Sequence, residues 1–128
     1  MVIPNIESLV FVDVETTGLN PFAERIIEIF MLKLLGSGEV EEYGSLINPG
    51  RPLSAEITAI TGLTDADLAD SPKEAEVAQA IREFIGGGTL VAHNLTFDKG
   101  FLNAMFRRTK QPPLPGGGID TLALSRSL

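Results

Sequence analysis

At 128 residues, 44% of them hydrophobic and 21% charged, the chain has the make-up of one globular domain with an ordinary core. It holds no cysteine, which excludes disulfides and thiolate metal sites and is compatible with a cytoplasmic location. The net charge of −7 argues against a protein that coats nucleic acid through a broad basic surface, but not against one that grips a nucleic-acid end through metal ions held by its acids.

No basic segment followed by a long apolar one stands at the N-terminus, so no signal peptide is expected. The longest apolar stretch, IIEIFMLKLL, carries Glu28 and Lys33 and is too short to span a bilayer. No membrane is expected as a partner.

The run SLVFVDV (8–14) is rich in β-branched and aromatic residues and meets a Gly-Leu-Asn-Pro turn, which predicts a first strand. RIIEIFMLKLL (25–35) and EEYGSLINP (41–49) predict two more, joined around GSGE as an antiparallel meander. Pro49, Gly50 and Pro52 close that segment. Ser54 then caps a short helix carrying Ile57 and Ile60, which Gly62 ends, and Thr64 with Asp67 forms a capping box for the next. The clearest helix has Ser71 as N-cap, Pro72 in its first turn and Glu74 reaching back. Val77, Ala78, Ile81, Phe84 and Ile85 recur along it at helical spacing, and Gly86, Gly87 and Gly88 stop it.

TLVAH (89–93) predicts a short buried strand. FDKGFLNAMFRR (97–108) predicts a helix with Phe97, Phe101, Leu102 and Met105 inward and Arg107, Arg108 and Lys110 at its negative end. After the loop QPPLPGGG, IDTLALSRSL predicts a strand stub, with Asp120 capping a final helix. A meander followed by β-α-β units predicts an α/β fold: a mixed five-stranded sheet, part antiparallel and part parallel, flanked by helices.

Two acids interrupt the first strand. Asp13 and Glu15 sit two apart, so on a strand they share a face within roughly 6.5–7 Å of each other and can converge on one cation. Hard carboxylate oxygens suit Mg2+ or Mn2+. The competing reading turns Val14 inward and leaves both acids in solvent at a strand end, and the stretch alone fits either. The following Thr16, Thr17 and Gly18 offer backbone N–H groups and hydroxyls, a cradle for an anionic or sugar group, or simply make a turn. In VAHNLTFDKGFLN (91–103) a strand ends at His93 and Asn94, and Asp98 stands at the start of a helix. Parallel strands end side by side, so Asp98 can complete the cluster, though helix-initial Asp is more often a cap.

These segments carry a family resemblance. FVDVETTGLNP resembles the first motif, and VAHNLTFDKGFLN the second, of the DEDD 3′–5′ exonucleases, the group that includes the proofreading epsilon subunits of bacterial DNA polymerase III. RIIEI, INPGRPLSAEITAITGLTDADL and IDTLALSRSL follow in that family's order, so the likeness covers nearly the whole chain. It implies a ribonuclease H-like fold and hydrolysis of DNA from a 3′ end with two divalent ions, Mg2+ or Mn2+. Asp13, Glu15 and Asp98 are then both catalytic and metal-binding. Thr16, Thr17, Gly18, Leu19, Phe97 and Asn94 contact the terminal nucleotide of single-stranded DNA, and a DNA polymerase subunit is an implied partner.

The resemblance stops at a third motif, in which a helix supplies a fourth acid and a general-base His. After Asp98 the only acid is Asp120, which reads as a helix cap, and no His follows His93, which reads as a residue orienting the strand–helix turn. The expectation is one exonuclease domain over residues 1–128, cut short before that motif and impaired as it stands. Two alternatives are a non-catalytic module of the same fold that docks a polymerase or helicase, and an RNA-trimming relative, since the same motifs serve RNA.

Overall fold

Strand β1 (Ser8–Thr16) runs through the middle of the molecule, and everything that bears on function hangs from its C-terminal end. The structure, a computed structural model, describes residues 8–126. Its order is β1, β2 (Ile26–Leu35), β3 (Val40–Leu46), α1 (Ala55–Thr61), α2 (Asp65–Leu68), α3 (Glu74–Ile85), β4 (Thr89–Ala92), α4 (Leu95–Arg108), β5 (Ile119–Asp120) and α5 (Thr121–Arg126). The end of the expected last helix, Ser127 and Leu128, lies outside the described residues.

The sheet has the spatial order β3-β2-β1-β4-β5. β1 pairs antiparallel with β2, and β2 with β3, while β4 runs parallel to both β1 and β5. The expected mixed five-stranded sheet is therefore present. Val10, Val12 and Val14 of β1 and Ile29 and Met31 of β2 point to one face, where they meet Val77, Ala78, Ile81 and Ile85 of α3 and Phe101, Leu102, Met105 and Phe106 of α4. The apolar periodicities, two on the strands and 3.6 on the helices, bury one side of each element. The opposite sheet face is open, with Phe11 and Phe30 both over two-fifths exposed.

The caps of α1 and α2 are as expected: Ser54 accepts the Ile57 N–H, Gly62 ends α1 at φ 78°, and Thr64 and Asp67 cap reciprocally. At α3 the sequence reading needs correction. The N-cap is Lys73, not Ser71, and the carboxylate that reaches back is Glu76, which accepts the Lys73 N–H at 3.1 Å. Asn48 donates its N–H to Pro72 O at 2.8 Å and forms a bridge with Lys73, which holds these two residues extended and delays the helix. Glu74 is thereby freed for Arg108, which forks onto it at 2.8 and 3.0 Å and ties the start of α3 to the end of α4. α4 in turn starts at Leu95, two residues earlier than expected.

Candidate active site

The alternation along β1 sets the first two acids. Val12, Val14 and Thr16 are buried, so Asp13 and Glu15 project from the other face, opposite Phe30 and Glu28 of β2. Burial pushes the Glu15 carboxyl up, and the charges of Asp13 and then Glu28 push it further.

β4 stops pairing opposite Phe11, so β1 runs on past it along that edge. Into this gap comes Asp98 from the first turn of α4, only 5% exposed. Burial, followed by the negative charge of Asp13, raises its carboxyl to about 7, while the backbone N–H groups of Val14 and Asp98 pull the other way. Asp13 is thus the common neighbour of both shifted acids. Such mutual repulsion among partly desolvated carboxylates is relieved by a cation.

Among the described residues no group of three or more His, Asp or Glu side chains is drawn together tightly enough to hold an ion unaided. The donor set still fits Mg2+ or Mn2+, which commonly bind through one or two carboxylates plus water and substrate phosphate rather than an all-protein cage. The protein supplies hard oxygen donors in two overlapping pairs, Asp13 with Glu15 and Asp13 with Asp98.

Beside the acids lies a cleft of about 520 Å³, walled by Glu15 to Leu19, by Ile57 and Ile60 of α1, and by Phe97 of α4. Leu19 is 85% exposed at its rim. The turn is held from within: Thr16 Oγ1 donates to Gly18 O at 2.6 Å, Thr17 N–H donates to Arg25 O at 2.9 Å, and the Thr17 hydroxyl meets the Glu24 carboxylate. Both hydroxyls thus have partners inside the turn, while Thr16 and Thr17 themselves line the cleft. A Cβ on Gly18 would lie 2.8 Å from Glu24 Cγ, so a larger residue there would have to displace the Glu24 side chain.

Asn94 takes the left-handed conformation, φ 80°, and lines a second hollow with Leu19, Pro21 and Phe97. Its N–H and that of Leu95 donate to the Asp120 carboxylate at 3.1 and 3.2 Å, and Leu122 and Ala123 donate to the same group at 3.0 and 3.3 Å. Desolvation acts to raise the Asp120 carboxyl, but these four donors outweigh it and hold the group below its usual range. Asp120 is therefore a cap, as read from sequence, and one that serves two helices. His93 Nδ1 lies 3.1 Å from Thr121 Oγ1, which ties the end of β4 to the start of α5.

Ile57 and Ile60 were read only as the apolar face of a short helix, yet α1 buries no residue and both line the cleft. Ile60 is 70% exposed, and nothing in the pattern of α1 marks either residue for the cleft.

The profile of the family described as Exonuclease (RNase_T) matches residues 10–128. The chain belongs to this exonuclease family. DNA polymerase III PolC-type of Bacillus cereus is 42% identical over 122 residues, 95% of this chain and 8% of that protein. The PolC-type polymerase of Streptococcus thermophilus is also 42% identical, over 91% of this chain and 8% of its own length. The chain thus spans under a tenth of these polymerase relatives. Among solved structures, apo exonuclease I superposes with a TM-score of 0.83 at 20% identity, covering 94% of this chain and 30% of that one. E. coli exonuclease I bound to a dA16 oligonucleotide superposes equally well, also at TM-score 0.83. Both share the exonuclease fold, which is ribonuclease H-like. No helix among the described residues is long and apolar enough to cross a membrane.

Proposed function

We propose that the chain is a DEDD-type 3′–5′ exonuclease domain that hydrolyses DNA phosphodiester bonds from a 3′ end, in a proofreading or repair setting beside a polymerase. The observation that carries this reading is the placement of a buried Asp98, at the start of α4, near the end of β1 that bears Asp13 and Glu15, with Glu15 in the wall of an apolar cleft. The PolC-type relatives support the polymerase setting, and the oligonucleotide-bound exonuclease I structure supports a single-stranded DNA substrate.

Asp13, Glu15 and Asp98 would hold the divalent ions. Ions so held would supply Lewis acidity, lowering the pKa of water and offsetting negative charge at the phosphate. The protein's own contribution is placement. Gly18 lets the backbone come close to the terminal sugar, while Leu19, Ile57, Ile60 and Phe97 enclose its base by apolar contact that any base satisfies. Asn94 borders the neighbouring hollow. A grip of this kind needs no broad basic surface, in keeping with the charge of −7.

Within these 128 residues no imidazole follows His93, and the Asp120 carboxylate is engaged by four backbone N–H groups. The chain by itself therefore hydrolyses slowly, since loss of a general base costs about 10²–10⁴ in rate. The test is release of mononucleotides from single-stranded DNA in Mn2+, compared with Asp13→Ala. Metal-dependent release from the wild type alone supports the reading, and equal residual release from both rejects it.

A further inference from the structure

The segment from Gly18 to Glu24 begins in the wall of the cleft, to which Gly18 and Leu19 contribute, and part of its fastening comes from distant residues. Three guanidinium groups, one from the adjacent residue and two from distant parts of the chain, each donate to one of its backbone carbonyls. Arg25, just before β2, donates to Glu24 O at 3.0 Å. Arg51, in the loop after β3, donates to Ala23 O at 2.8 Å. Arg108, at the end of α4, donates to Pro21 O at 3.5 Å while it grips Glu74. The acids alongside are Glu24, 4.0 Å from Arg51, and Glu74.

Gathering three like charges is unfavourable unless they do something together. In a chain with ten cationic residues and a net charge of −7, this is a marked concentration. The arginines are near enough to feel one another: burial lowers the Arg25 pKa, and the charges of Arg108 and Arg51 lower it further. What they share is the loop. Its two ends are tied by Thr16, which donates to Gly18 O, and by Thr17, whose hydroxyl meets the Glu24 carboxylate. Between them the internal bonds are Phe22 N–H to Asn20 Oδ1 at 2.9 Å and Ala23 and Glu24 N–H to Asn20 O at 3.2 and 2.8 Å, which leaves the carbonyls of Pro21, Ala23 and Glu24 to the arginines. Its two large apolar side chains, Leu19 and Phe22, are 85% and 71% exposed, so packing does not fix it. A segment with few buried contacts opens readily unless hydrogen bonds hold it.

We propose that Arg25, Arg51 and Arg108 are positioning residues that hold the 18–24 loop by its carbonyls and thereby set where Gly18 and Leu19 meet a 3′-terminal nucleotide. Arginine suits the task better than lysine, because its planar, permanently charged fork fixes direction as well as charge. The arrangement also joins the cleft wall to α3 and α4, so the 3′-end cradle is keyed to the helix that carries Asp98. The inference rests on the exonuclease reading for its substrate but not for the fastening itself.

Two measurements on the full chain test it together: amide hydrogen exchange across residues 18–24, and binding of a single-stranded oligonucleotide in Ca2+, with either a 3′-hydroxyl or a 3′-phosphate end. Arg51→Met is the principal variant, because Arg51 anchors no helix, and Arg108→Met is the second. Expected for Arg51→Met are faster exchange in the loop and about tenfold weaker binding of the 3′-hydroxyl oligonucleotide, since small misplacements at a site have large effects. The salt dependence of binding stays as in the wild type, and Arg51→Lys recovers part of both losses. Unchanged exchange, or faster exchange with unchanged affinity, overturns the proposal. So does a salt slope reduced by about one, which marks a direct phosphate contact instead. A wild type that binds both oligonucleotide ends alike defeats the exonuclease reading and removes the 3′-end consequence with it, while its exchange data still report on the fastening.

Discussion

Asp120, on the outermost strand, reaches across to accept the backbone N–H of Asn94 at 3.1 Å, and so fixes the turn from which α4 and Asp98 start. The same carboxylate caps α5 through Leu122 and Ala123. One side chain thus satisfies the starts of two helices, and α4 has no other side-chain cap at Asn94.

It follows that Asp120 acts on structure rather than on metal. Asp120→Ala lowers the midpoint of thermal unfolding by several degrees, and Asp120→Asn, which keeps an acceptor oxygen, lowers it by less. Titration with Mn2+ gives wild-type affinity for the folded Asp120→Asn protein. A lost Mn2+ site in that variant would make Asp120 a ligand.

Asp98 gives the metal-free protein a distinctive pH dependence. Its carboxyl is raised from 3.8 to about 7 in the fold, chiefly by burial and then by Asp13. A carboxyl raised on folding leaves the native state holding more protons than the unfolded one. Stability therefore falls as pH rises from about 4 to about 7, and the penalty persists above that. Asp98→Asn removes the charge, so in EDTA at pH 8 it gains on the order of 1–2 kcal/mol while losing metal-dependent activity. Chemical denaturation at pH 5 and pH 8 checks this: the gap between variant and wild type is to be large at pH 8 and small at pH 5.

Leu19 and Phe97 both border the cleft but differ in what else they do. Leu19 is 85% exposed, so Leu19→Ala leaves stability unchanged and raises KM for single-stranded DNA about fivefold, the loss of about 1 kcal/mol of apolar contact. Phe97 packs on Phe101 with ring centroids 4.9 Å apart, so Phe97→Ala lowers both stability and affinity. Steady-state kinetics paired with thermal unfolding separates the two. A destabilised Leu19→Ala protein would count against this assignment.

The elements were legible in the sequence wherever a local period decided them. The β-branched run at residues 8–14 gave β1, its period of two put Asp13 and Glu15 on one face, and glycines marked the ends of α1 and α3. What the sequence hid were contacts between distant segments. The start of α3 depends on Asn48 bridging Lys73, the pairing of Glu74 depends on Arg108 lying beside it, and the second use of Asp120 depends on Asn94 lying beside it. The same holds at the site. Asp13, Glu15 and Asp98 were readable as motif residues, whereas Ile57 and Ile60 join the cleft because of where α1 is placed, not because of its own pattern.

The central claim is that Asp13 organises a metal-dependent site for 3′-end hydrolysis, and its most direct measurement is mononucleotide release from 3′-ended single-stranded DNA in Mn2+ by wild type and Asp13→Ala. The account predicts slow, EDTA-sensitive release from the wild type and none from Asp13→Ala, with Asp13→Ala folded by circular dichroism. Equal release from the two proteins, or release that EDTA does not stop, would contradict it.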